Sequence, residues 1–98
     1  MLTPLTTQIL LALSSGEMNG YATIQLMRSD CGGAIIITDS ASYRALKRMT
    51  SSGLIAISFY GRQSTIRYRI TTRGRVKLRI EQTHYENLAR LIRCRLLI

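Results

Sequence analysis

Between Tyr43 and Ile80 the chain carries ten cationic side chains and no acidic one: Arg44, Lys47, Arg48, Arg62, Arg67, Arg69, Arg73, Arg75, Lys77 and Arg79. Cations at this density repel one another unless they face solvent and a polyanion. The chemistry open to them is phosphate neutralisation and, for an arginine, bidentate hydrogen bonding to a guanine edge. Residues 1–42 hold only Arg28 against Glu17, Asp30 and Asp39, and residues 81–98 hold Arg90, Arg93 and Arg95 against Glu81 and Glu86. The formal net charge of +9 is therefore concentrated in the middle of the chain. The plainer alternative is a set of solvated helix and strand faces.

Other chemistries are poorly supplied. Paired carboxylates, a nucleophile with a base, and metal-ligand spacing are all missing from the sequence, so an enzyme is the poorest fit and no cofactor or metal is expected. The single His84 is expected at the surface or in an interface. Cys31 and Cys94 lie far apart without a CxxC pair, and they are expected as reduced thiols in the cytoplasm. Gly32-Gly33 lacks the context of a phosphate-binding loop and is assigned to a turn. The uncharged opening stretch is broken by Pro4, Thr6, Thr7, Gln8, Ser14 and Ser15, so neither a signal peptide nor a membrane span is expected.

Elements must position the cations, and 98 residues allow one modest core. Thr3-Pro4 opens a first helix to about Ser15, with Leu5, Ile9, Leu10 and Leu13 on its apolar face. Asn19 caps a second helix to about Ser29, directing Tyr21, Ile24 and Met27 inward. Ile35, Ile36 and Ile37 form a β-branched run between glycines and a polar cluster, which predicts a short strand. A third helix follows, capped by Thr38, Asp39 or Ser40 and ending at Gly53. Tyr43, Leu46 and Met49 are expected on its packed face, with Arg44, Lys47 and Arg48 largely on the other.

Leu54–Tyr60 and Thr65–Thr71 alternate as two strands joined by Gly61-Arg62-Gln63-Ser64, which makes a basic hairpin. From Thr72 onward Leu78, Tyr85, Leu88, Ile92 and Leu96 recur at helical spacing, with Val76, Ile80 and Leu91 as a second stripe. So much apolar surface exceeds what a small core can cover and predicts a second copy of the chain. Arg73, Arg75, Lys77 and Arg79 fall near the start of this last helix, where cations oppose the helix dipole and hint at phosphate contact. The predicted fold class is mostly α with a small β-wing: a winged helix-turn-helix domain over 1–71 and a long C-terminal dimerisation helix over 72–98.

The residues narrow this further. Ile9-Leu10-Leu11-Ala12-Leu13 with Asn19-Gly20-Tyr21, then Tyr43-Arg44-Ala45-Leu46-Lys47-Arg48-Met49 with Gly53-Leu54-Ile55, then Tyr68-Arg69-Ile70-Thr71 with Gly74 and Leu78, resemble PadR-like transcriptional regulators in the short form with a single C-terminal helix. The set spans residues 9 to 78. The resemblance implies a homodimeric, sequence-specific binder of double-stranded DNA, usually a repressor, acting at a palindromic operator through helix 39–52 and wing 58–71.

It further implies DNA contact by Tyr21, Ser40, Ser42, Tyr43, Arg44, Lys47, Arg48, Arg62, Arg67 and Arg69, and dimerisation through Leu78, Tyr85, Leu88, Leu91, Ile92 and Leu96. Before Tyr43 the chain has Ser40, Ala41 and Ser42 where the family usually carries a small residue, a Ser or Thr and an apolar residue. Relatives often bind aromatic or cationic effectors at the dimer interface. With no Trp, one Phe and five Tyr, such a pocket is not indicated here. The competing assignments are a winged-helix protein-interaction module and a non-specific architectural nucleic-acid binder.

Overall fold

The first helix forms because Thr3 and Pro4 leave it no other start. Thr3 is extended and its hydroxyl accepts the Thr6 N–H at 3.2 Å, while Pro4 occupies the position whose N–H would have no helical partner. In the computed structural model, which describes residues 2–62 and 65–97, this is α1 (Pro4–Ser14). It buries Ile9, Leu10, Ala12 and Leu13 at the centre of the molecule. A two-residue strand, β1 (Met18–Asn19), leads into α2 (Gly20–Cys31), whose first turn is closed by the Asn19 side chain accepting from Ala22 N at 2.8 Å. α2 ends on Gly32, left-handed at φ 54°, a conformation that a β-carbon would disfavour.

The strand expected over Ile35–Ile37 does not form. Those residues pass from the α2 cap to the α3 cap without a partner chain, and Ile36 stands 92% exposed between a half-buried Ile35 and a buried Ile37. The Ile37 carbonyl, which a ladder would need, is instead gripped by Arg28 through Nε at 3.2 Å and Nη2 at 3.0 Å. The third strand of the sheet is β1, which is too short to carry an alternating pattern.

α3 (Asp39–Ser51) is followed by β2 (Ile55–Phe59), β3 (Arg67–Ile70) and α4 (Thr72–Leu96). The sheet is antiparallel in the order β1-β3-β2, with Met18 opposite Tyr68 on one side of β3 and Ile55 opposite Ile70 on the other. Between the pairs Ile57–Tyr68 and Phe59–Arg67 the register slips by one residue, so Ser58 is a bulge that bends the hairpin. The expected turn residues Gln63 and Ser64 lie outside the described residues.

One core joins three helices and the base of the wing, with Leu10, Leu13, Ile24, Met27, Leu46, Met49, Ile55 and Ile70 buried together and Leu78 of α4 packed partly buried against them. Thr71 locks three elements at one point. Its side chain accepts from Gly74 N at 3.0 Å to cap α4, and its hydroxyl lies 2.6 Å from the Gly53 carbonyl and 2.9 Å from the Leu54 carbonyl at the α3–β2 junction. α4 is 25 residues, about 37 Å of helix. The molecule accordingly measures 55 × 27 × 20 Å. Glu81 is buried and takes the Leu2 N–H on Oε1 at 3.1 Å, which ties the middle of α4 to the start of the chain. Among the described residues no helix is long and apolar enough to cross a membrane.

Candidate nucleic-acid interface

α3 is capped by Thr38, whose hydroxyl accepts the Ala41 N–H at 3.2 Å. Asp39, the acidic residue at the mouth of the basic segment, is not the cap. It pairs with Arg28 Nη2 at 2.8 Å. Arg28 thus holds both the Ile37 carbonyl and the Asp39 carboxylate, fixing the turn between α2 and α3 while offsetting a charge that would oppose a phosphate. As the only cation in the first third of the chain, Arg28 had a sequence signal, but its partners could not be assigned without the fold.

The helical period then sorts α3 into two faces. Ser42, Ala45, Leu46 and Met49 are buried, while Ser40, Tyr43, Arg44, Lys47, Arg48 and Ser51 are exposed on the opposite side. Two expectations change here. Ser42 is 0% exposed and its hydroxyl donates to the Thr38 carbonyl at 2.7 Å, so it belongs to the core and leaves the candidate surface. Tyr43, expected beside Leu46 and Met49, instead sits at the edge of the polar face, 38% exposed.

Its ring lies against the first turn of α2. A β-carbon at Gly20 would stand 2.7 Å from Tyr43 Cε1, so the bare backbone is what lets the ring approach. Tyr21, expected to point inward on α2, is 67% exposed, one residue beyond this contact.

The wing contributes two different faces. Along β3, Tyr68 and Ile70 turn inward and Arg67 and Arg69 turn out. Tyr68, with Ile57 and Ile66, closes an open cleft of about 450 Å³ against Tyr43, Arg44 and Lys47 of α3. Arg67 and Arg69 therefore project from the other side of the sheet from that cleft. Arg67 Nη1 reaches Glu17 Oε1 at 3.9 Å, a long and exposed pair worth little. Arg62 is exposed at the wing tip. So the structure gathers Tyr43, Arg44 and Lys47 around one cleft, leaves Arg48 beside them on the same helix face, and puts Arg67 and Arg69 behind. Burial, and secondarily the Tyr43 phenol, push the Tyr68 phenol above its ordinary value. The alternation of β3 puts Tyr68 on a packed face, and only the fold turns that face onto α3.

α4 carries one apolar stripe with two fates. Gly74 and Glu81 are buried, and Leu78 packs on the chain's own core, so Leu78 is not free for a partner. One helical turn further on, Tyr85, Leu88, Leu91, Ile92 and Leu96 continue the apolar stripe at 44%, 44%, 55%, 50% and 79% exposure.

Three helices with the third presenting a basic face, followed by a two-stranded wing, define a winged helix-turn-helix DNA-binding fold. Residues 9–80 match the sequence profile of the transcriptional regulator PadR-like family, and the chain belongs to that family. Its regulators bind DNA and are not enzymes.

Solved structures share the fold. A transcriptional regulator from Clostridium thermocellum has a TM-score of 0.78 at 21% identity, covering 95% of this chain and 96% of its own. A PadR family transcription regulator from Clostridium difficile R20291 has 0.80 at 22%, covering 93% and 96%. PadR of Bacillus subtilis, solved in complex with operator DNA, has 0.71 at 24%; the match covers 82% of this chain but only 47% of that one. No curated protein sequence matches the chain.

Proposed function

We propose that the chain is a homodimeric, sequence-specific repressor whose 1–71 region binds a palindromic operator and whose 72–98 helix holds two copies together. The observation that carries this is the exposed basic face of α3, on which Ser40, Tyr43, Arg44, Lys47 and Arg48 stand opposite a buried face and whose one acidic residue, Asp39, is paired with Arg28. A helix so divided enters a major groove with its cations toward the duplex. Arg44 and Lys47 read base edges. Arg48, Tyr43 and Tyr21 lie where phosphates flank the groove, and Arg62 at the wing tip meets the backbone or the minor groove, while Arg67 and Arg69, on the far side of the sheet from α3, are left with the flanking backbone.

The free stripe of α4, Tyr85 to Leu96, supports dimerisation, because a second copy supplies the same stripe by symmetry. A two-fold dimer sets two recognition helices about 34 Å apart, the spacing of successive major grooves on one side of the duplex. Occupying a promoter in this way obstructs transcription. The test is Arg44→Ala and Lys47→Ala, each assayed on a genomic palindrome and on random duplex. If they read bases, discrimination falls by about 1 to 3 kcal/mol while random-duplex binding falls less. Equal loss on both duplexes would reassign them to the phosphate backbone.

A further inference from the structure

The cleft between α3 and the wing is shaped for more than a sugar-phosphate strand. Its volume is about 450 Å³, and what distinguishes it from other depressions of the surface is its lining. Four of its walls are apolar or aromatic: Tyr43 from the helix and Ile57, Ile66 and Tyr68 from the wing. Arg44 and Lys47 border it with the hydroxyl residues Thr50 and Ser51, and among the described residues no acidic one lines it. Phosphates would engage the two cations and leave the apolar walls without an apolar partner. A ligand that satisfies both halves has a hydrophobic body and a negative head.

We propose that this cleft binds an amphipathic organic anion, its body between Tyr43, Ile57, Ile66 and Tyr68 and its carboxylate or sulfonate against Arg44 and Lys47. The site lies within one chain and involves none of the α4 stripe, so one ligand binds per chain. Because the head group occupies the cations assigned above to DNA, a bound anion excludes the duplex. Only this last consequence rests on the DNA-binding proposal. The cleft works by direct competition and requires no change of shape transmitted between distant sites.

The probe is anilinonaphthalene sulfonate, titrated into the full chain without DNA and followed by fluorescence, with proton–nitrogen correlation spectra locating the contact. Binding saturates at one probe per chain, and the shifted amides belong to Tyr43, Ile57, Ile66, Tyr68 and their neighbours. Lys47→Glu, a surface change that leaves the fold intact, weakens the probe roughly five- to tenfold by replacing an attraction with a repulsion. Ile57→Asp, which sets a carboxylate in the apolar wall, weakens it at least about tenfold. Shifts confined to the distal half of α4, or equal affinity in the wild type and Lys47→Glu, overturn the proposal.

A second arm adds labelled duplex. Probe bound in the cleft that displaces the duplex supports the whole scheme. Cleft binding with the duplex undisturbed overturns the competitive step. A duplex that never binds, with the probe seated in the cleft, removes the DNA proposal and leaves the anion site standing.

Discussion

Gly74 sits where α4 presses on the base of the wing, and adding one methyl there tests how α4 is seated. A β-carbon at this position runs into the Leu54 carbonyl oxygen and stands 2.9 Å from Ile70 Cγ1 and 3.2 Å from Leu10 Cδ2. The Leu54 carbonyl cannot yield cheaply. It accepts the Thr71 N–H at 3.2 Å and lies 2.9 Å from the Thr71 hydroxyl, the same side chain that caps α4. Relieving the overlap therefore separates α4 from β2 and stretches the cap. Overpacking of this kind costs about 1 to 3 kcal/mol, with the upper end expected where backbone blocks the way. Replacing glycine by alanine inside a helix returns at most about 1 kcal/mol, and less in a first turn.

The net expectation for Gly74→Ala is a loss of about 2 kcal/mol, which for a domain of this size lowers Tm by roughly 8 to 16 °C. The assay is thermal unfolding followed by circular dichroism, with wild type and variant at equal concentration so that association contributes equally. An unchanged or raised Tm would refute the reasoning, because it would mean that α4 does not rest on the Leu54 carbonyl.

Three further outcomes follow from the same geometry. The fold favours the neutral Tyr68 phenol, so its stabilising contribution is complete below the ordinary tyrosine value of 10.0 and disappears as pH rises through the higher value of the folded state; Tyr68→Phe should flatten the alkaline fall in unfolding free energy, and an unchanged profile would contradict this. Ile92→Asp, at a half-exposed position in the free stripe of α4, should weaken dimerisation by about 3 kcal/mol or more and yield monomers in sedimentation with helix content retained; a persistent dimer would place the interface elsewhere. Thr38→Ala removes the α3 cap and should cost about 1 kcal/mol in denaturant titrations, with no loss indicating that another group closes the helix.

The four helices were legible because their signals are local. Thr3-Pro4, Asn19 and the Thr38 hydroxyl act as caps, and the apolar spacing of α1 and α4 repeats over several turns. α2 runs two residues beyond the expected end at Ser29, to Cys31, and stops at the left-handed Gly32. The hairpin was visible in its alternation.

What failed depended on partners distant in sequence. Three isoleucines in a row look like a strand, but a strand exists only through its neighbour, and the neighbour of β3 turned out to be Met18–Asn19. Ser42 has the composition of a surface serine, yet the packing of Ala45, Leu46 and Met49 takes it inward with them. The charges of Arg44 and Lys47 were evident as composition. Their placement around a cleft walled by Tyr68 and Ile57 was not, since it depends on how the wing folds back against α3.

The most direct test is binding of the chain to fragments of its own genome, the region upstream of its gene included, across a salt series with molecular mass determined in parallel. The expected result is a dimer that selects a few palindromic sites, with affinity falling steeply as salt rises, by a log–log slope of about −0.9 for each phosphate neutralised. Uniform binding to every fragment, or no binding even at low salt, would contradict it.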